Sequence, residues 1–314
     1  MGAYDSALAR RIVHRATVSA IDPAHDGVYA ELGRLIAHCW EESLDLVATH
    51  GVLPRRSNDP EYEIASARDI GLRYMADRAD QRQFQATRSD ELSGRSSLLR
   101  RSFRQAAWFL GGVTRGAHIG RLLPEIDSVF AVSTNVISIN GDSRHFYQPL
   151  DPAGSRLADT APVRVREALL HEIAHANFAH AAPHLARIPH LERSPALRVV
   201  LEGYPTWVIA RIAARKDPRT GQLVDPELNA WQWMVHPLER TGVTPFGSPY
   251  RQGAVWFEKI HDLFGDEGVL AVARLAEAEL PRPRWQWGAD VGNWGDRTLG
   301  VPRRKLKRIR GESH

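Results

Sequence analysis

The 314-residue chain has one cysteine, three methionines and no uninterrupted apolar run of membrane-spanning length. A helix across a bilayer needs roughly 20 consecutive apolar residues, so no transmembrane span is expected. A single Cys39 excludes an internal disulfide framework and a cysteine-ligated zinc site. It sits in Leu35-Ile36-Ala37-His38-Cys39-Trp40, an apolar stretch at helical spacing, and reads as a buried structural thiol rather than a nucleophile. Cysteine poverty fits a reducing compartment, and the expected location is cytoplasmic. No basic-then-apolar leader opens the sequence. Met1-Gly2-Ala3-Tyr4-Asp5-Ser6 fits a myristoylation pattern formally, but a match this short predicts no anchor. There is no internal repeat.

Net charge of either sign is small in the body of the chain. The formal net charge is +4, and residues 301–314 alone carry six Lys and Arg against one Glu, so everything before them sums to about −1. A basic tail of this kind is a candidate for docking on nucleic acid or another acidic partner; a solvated, disordered tail is the ordinary alternative. Residues 78–104 hold seven Arg against three acids, which reads as a charged helix face. Otherwise 43% hydrophobic and 25% charged residues are the proportions of an ordinary globular protein. The length allows one large domain with subdomains, or two domains.

What is present is mostly helical pattern. Val28, Leu32, Leu35, Ile36, Cys39, Trp40, Leu44 and Val47 recur at helical spacing and predict a helix over about 26–49, stopped by Gly51 and Pro54. Further helices are expected at 60–84 and 96–110, with a polar loop between them. Ser128 to Ile139 is β-branched and partly alternating and reads as one β-like segment before the Asn140-Gly141-Asp142 turn. A Pro- and His-rich loop is expected over 181–195. A helix over 196–216 follows, interrupted by Gly203 and Pro205. Residues 217–249 read as loop, and 250–263 and 268–280 as two more helices.

The most informative stretch is 162–180. It contains His171-Glu172-Ile173-Ala174-His175, the HExxH pattern. On a helix, positions i and i+4 share a face one turn apart, so both imidazoles can aim at one metal ion. Glu172 stands beside such an ion rather than on it, where its carboxylate can act as a general base towards water. Asp159 or Thr160 can cap the helix, Pro162 suits its first turn, and Val163, Val165, Leu169, Leu170, Ile173, Ala174 and Phe178 form an apolar stripe.

Catalytic zinc needs a third protein ligand and an open position. The metzincin pattern would put Gly at 178 and His at 181; Phe178 and Ala181 stand there instead. His180, His184, His190 and Glu192 lie near or inside the following loop, and Glu202 beyond it. Glu202-Gly203-Tyr204 ahead of an aromatic helix resembles the third-ligand segment of the gluzincins, the HExxH metallopeptidases that take a Glu from a following helix. The sequence departs from that pattern at Pro205, at Thr206, and in the 26 residues separating His175 from Glu202. Tyr250-Arg251-Gln252-Gly253-Ala254 is similar to a second gluzincin segment, whose Tyr hydroxyl supports the oxyanion. His236 is another candidate donor to an oxyanion, and Glu167, one turn before His171, could orient a ligand.

The resemblance covers about 128–280. It implies an α+β, predominantly helical protein: a zincin-like domain at 121–285 with a small sheet beside the active-site helix and a C-terminal helical subdomain. A helical region at 1–120 would precede it and a basic tail at 286–314 would follow. It further implies a zinc metallopeptidase acting on peptide or protein substrates, with His171, His175 and Glu202 on Zn²⁺, Glu172 as general base and Tyr250 at the oxyanion. Two alternatives remain: a zinc hydrolase of non-peptide amides, and a non-catalytic protein on the same scaffold that works through its basic tail.

Overall fold

The structure is a computed structural model, described here for residues 29–54, 59–66, 69–70, 127–132, 134–143, 145–147, 157–188, 193–235, 249–281 and 291–304. Of the helix predicted at 60–84, the part from 71 on lies outside these residues, as does all of the helix predicted at 96–110. Helices α1 (Ala30–His50), α2 (Ala161–Ala181), α3 (Pro183–Ala186), α4 (Pro195–Ala213), α5 (Pro226–Val235), α6 (Pro249–Val272) and α7 (Val291–Thr298) accompany strands β1 (Glu61–Ala65), β2 (Ser128–Ala131) and β3 (Val136–Asn140). The fold is thus α+β and mostly helical. No described helix is long and apolar enough to cross a membrane.

The chain divides into two compact units, and two of the divisions between them fall within helices. Asp45 and Leu46 are consecutive residues of α1, as are Ala176 and Asn177 of α2. The first unit contains α1 up to Asp45, the three strands and α2 up to Ala176. Its sheet has the order β1-β3-β2, with β1 parallel and β2 antiparallel to β3. The central strand buries both faces: Ile137 and Ile139 on one, Ser138 and Asn140 on the other. Burying Ser138 is tolerable because Glu63, directly opposite in register, accepts its hydroxyl proton at 2.6 Å. Leu32, Ile36, Cys39, Trp40 and Leu44 form the buried stripe of α1, as their spacing predicts.

Two strand expectations change. Residues 61–65 form a strand, not the start of a helix. Exposed Glu61 and buried Ile64 lie on a segment that pairs residue for residue with 136–140. The segment 128–139 is two strands, because Asn135 turns the chain with φ 60°. Asn tolerates this left-handed conformation better than most residues. Asn135 N–H donates to the Ala131 carbonyl at 2.9 Å, and its own carbonyl accepts from Glu61 N–H at 3.1 Å. One residue therefore closes the hairpin and ties β1 to it.

The second unit contains the ends of α1 and α2, then α3 and all described residues from Arg193 on. Ser194 caps α4 by accepting from Leu197 N–H at 3.2 Å, and Pro195 occupies the first turn. Most of α4 is buried, including Val199, Val200, Leu201, Tyr204, Trp207, Val208 and Ile209. Contrary to the sequence expectation, Gly203 and Pro205 do not interrupt it. Pro205 forgoes one backbone bond, while Thr206 Oγ1 donates to the Glu202 carbonyl at 2.8 Å. Gly203 is required by a crossing: a Cβ there would stand 2.2 Å from Gly253 Cα of α6. Tyr204, Trp207, Phe257 and Phe178 continue this contact as an aromatic cluster, and the Tyr204 hydroxyl donates to the Gly51 carbonyl.

Three further features bear on the sequence reading. The loop expected at 217–249 contains α5, started by Asp225, whose side chain accepts from Leu228 N–H at 2.8 Å ahead of Pro226. The two helices expected at 250–263 and 268–280 are the parts of α6 on either side of Gly265, which breaks it at φ 71°; the second ends at Val272. The first two arginines of the basic run are engaged locally. Arg303 pairs with Asp296 at 2.6 Å, and Arg304 N–H donates to the Leu263 carbonyl at 2.7 Å.

Candidate metal centre

The helix that carries HExxH forms where its sequence predicts. The Thr160 carbonyl accepts from Arg164 N–H at 3.1 Å, and Val165, Leu169, Leu170, Ile173, Ala174 and Phe178 are buried. This stripe fixes the rotation of α2 and leaves His171 and His175 half-buried. Their rings meet edge to face at 76° with centroids 4.7 Å apart. Their Nε2 atoms are 3.1 Å apart. Two nitrogens bound at ~2.0–2.1 Å to one tetrahedral ion would stand about 3.3 Å apart, so the pair is spaced as ligands. Without an ion the same distance suits a hydrogen bond from one imidazole to the other.

Glu202 offers a third donor atom. It is half-buried on α4, next to the Gly203–Gly253 crossing that fixes this helix against α6. The ligand atoms of His171, His175 and Glu202 all lie within 4.8 Å of one another. Two imidazoles and one carboxylate are a donor set of the kind that holds zinc while leaving a coordination position open. Among the described residues no other group of three His, Cys, Asp or Glu gathers in this way. The residues present therefore fit a metal ion.

The rival ligands fare differently. His180 is exposed at the end of α2. His184 Nε2 is 2.8 Å from the Leu275 carbonyl, which commits that nitrogen as a donor. His190, Glu192 and His236 lie outside the described residues. Glu167 is half-buried on α2. Tyr250 stands in the first turn of α6, 40% exposed. Gly253, one turn later, is the α6 partner in the crossing with Gly203. The glycines of the two short segments that resemble gluzincins thus touch each other.

Glu172 is only 7% exposed. Its Oε1 accepts a hydrogen bond from Ser128 Oγ at 2.9 Å. Sequence reasoning missed Ser128, a lone serine opening a β-like run that carries no signal of a role. The adjacent Asp127 is also engaged. It accepts from Ser143 Oγ at 2.5 Å, lies 3.0 Å from His145 Nδ1, and pairs with Arg164 of α2 at 3.5 Å.

Comparison with protein-family models, curated proteins and solved structures gives no match to this chain.

Proposed function

We propose that the protein is a zinc-dependent metallopeptidase with a zincin-like domain and a gluzincin order of ligands: His171 and His175 from the HExxH helix, Glu202 from a later one. The observation that carries this reading is the convergence of those three donors, with the carboxylate of Glu172 following the first ligand. A bound zinc ion would act as a Lewis acid, lowering the pKa of water and polarising a carbonyl.

The chain's own residues supply the rest. Glu172 takes a proton from the attacking water and delivers it to the leaving amine. Its burial keeps bulk water from competing for the carboxylate. Strand β2 has no second strand neighbour among the described residues, so its outer edge suits an extended peptide added by main-chain hydrogen bonds. Tyr250 is the proposed donor to the oxyanion. The substrate class is peptide or protein.

The test combines metal content with cleavage. Purified protein should contain about one zinc per chain and cleave a fluorescence-quenched peptide library. Glu172→Gln should keep the zinc and lose at least ~100-fold in rate, the usual scale for a positioned general base. Glu202→Ala should lose the metal. Wild-type cleavage rates in Glu172→Gln would end this mechanism.

A further inference from the structure

Ser128 is the first residue of β2, and its hydroxyl has one proton to give. It donates that proton to Glu172 Oε1 at 2.9 Å. We infer that Ser128 is the positioning residue for the general base: it holds one carboxylate oxygen so that the other is presented to the reacting water. This inference rests on the hydrolase reading above and names how its base is aimed.

A glutamate side chain has three rotatable bonds, and a base is effective only when its proton-accepting oxygen is held within hydrogen-bond reach of the water. The helix fixes the Cα of Glu172 but not its carboxylate. A hydroxyl donated from outside the helix selects one rotamer. It also leaves Oε2 as the oxygen with no bond to Ser128, and a hydrogen bond to a charged acceptor is among the stronger neutral-donor bonds.

The donor itself must be fixed, and the residue before it provides this. Asp127 is held by Ser143 Oγ, by His145 and by Arg164. Its carbonyl accepts from Asn140 N–H at 2.9 Å. Ser128 pairs in register with Ile139, which is fully buried in the central strand. The start of β2 therefore meets α2 twice in succession, Asp127 at Arg164 and Ser128 at Glu172. With both contacts in place, neither the strand nor the carboxylate can shift alone. Arg164 lies two turns before His171 on the same helix, so the clamp shares its scaffold with the proposed ligands.

The experiment uses the zinc-loaded full chain and one fluorescence-quenched peptide cleaved by wild type. Ser128→Ala should lower kcat about tenfold to a hundredfold, a part of the ~10²–10⁴-fold that a positioned base contributes. KM, zinc content and melting temperature should stay near wild type. Ser128→Thr, which keeps the hydroxyl, should recover most of the rate. A readout without turnover accompanies it. The infrared carboxylate band of Glu172 in the metal-free protein, assigned by difference from Glu172→Gln, should shift in Ser128→Ala and return in Ser128→Thr. Wild-type kcat in Ser128→Ala, or equal loss in the Ala and Thr variants, overturns the inference while leaving the hydrolase reading intact. A wild type that cleaves nothing overturns both.

Discussion

The surroundings of Glu172 and those of Glu202 are built by different physics. In the first unit, the neighbourhood of Glu172 is held by polar pairs: Ser128 on Glu172, Asp127 on Arg164, Ser138 on Glu63. In the second unit, Glu202 rides on a helix fixed by contact of two glycine backbones and a cluster of aromatic rings. A hydrogen bond sets direction and can be removed one atom at a time. A backbone crossing sets distance and tolerates no added atom. The proposed base, whose task is angular, has the first kind of support; the proposed third ligand, whose task is reach, has the second.

Substitutions that break one kind of support and spare the other sharpen this contrast. The largest expected effect is steric. Gly203→Val would thrust a branched side chain into Gly253 and should destabilise the protein by roughly 3 kcal/mol or more, beyond ordinary overpacking because backbone is the obstacle. Chemical denaturation measures it, and a change below about 1 kcal/mol would mean that the helices are free to separate there.

Next comes a polar deletion. Ser138→Ala removes the hydroxyl that donates to the buried Glu63 carboxylate, which should cost about 1–3 kcal/mol. The double variant Ser138→Ala with Glu63→Leu should recover part of it, because removing both members of the pair spares the buried carboxylate the loss of that bond. Additive losses in that cycle would count against the pairing.

The smallest effect is pH-dependent. His50, the last residue of α1, lies 3.4 Å from Arg215. Burial first, then the charges of Arg215 and Arg211, holds its pKa below the usual histidine value. Protonation is thus harder in the folded than in the unfolded chain. Stability should fall as pH drops below the ordinary value of about 6.5, where the unfolded chain binds the proton first. Thermal melts from pH 8 to pH 5 on wild type and His50→Gln should show a shallower acid slope in the variant; identical slopes would exclude His50 as the source.

How much of this was legible depended on whether the signal was local. The HExxH helix is legible almost to its ends, because an apolar stripe and a capping position lie in one window. All of β1 reads as helix in the sequence: its five residues pair with partners more than 70 positions away, and no local window contains them. The break between β2 and β3 was missed because it rests on one left-handed Asn inside a β-branched run. Helix α5 had a readable start in Asp225-Pro226, overlooked amid neighbouring turn residues. Pro205 misled in the other direction, since burial on nearly every side overrode the loss of one backbone bond. For the candidate centre, the two imidazoles follow from their spacing alone. Glu202 needed a resemblance to stand out from Glu192 and the loop histidines. Ser128 could not be found at all, because its partner lies 44 residues away.

Asn135 has a consequence for how the sheet assembles. The β2–β3 hairpin closes over four residues, 132–135, whereas the parallel β1–β3 ladder must close over 70, residues 66–135. For flexible loops, that difference in closure entropy amounts to about 2.5 kcal/mol against the long-range pairing. The hairpin that carries Ser128 is therefore the local contact and β1 the distant recruit. The carbonyl of Asn135 is the point at which the recruit is taken up, since it accepts from Glu61 N–H at the first rung of the ladder.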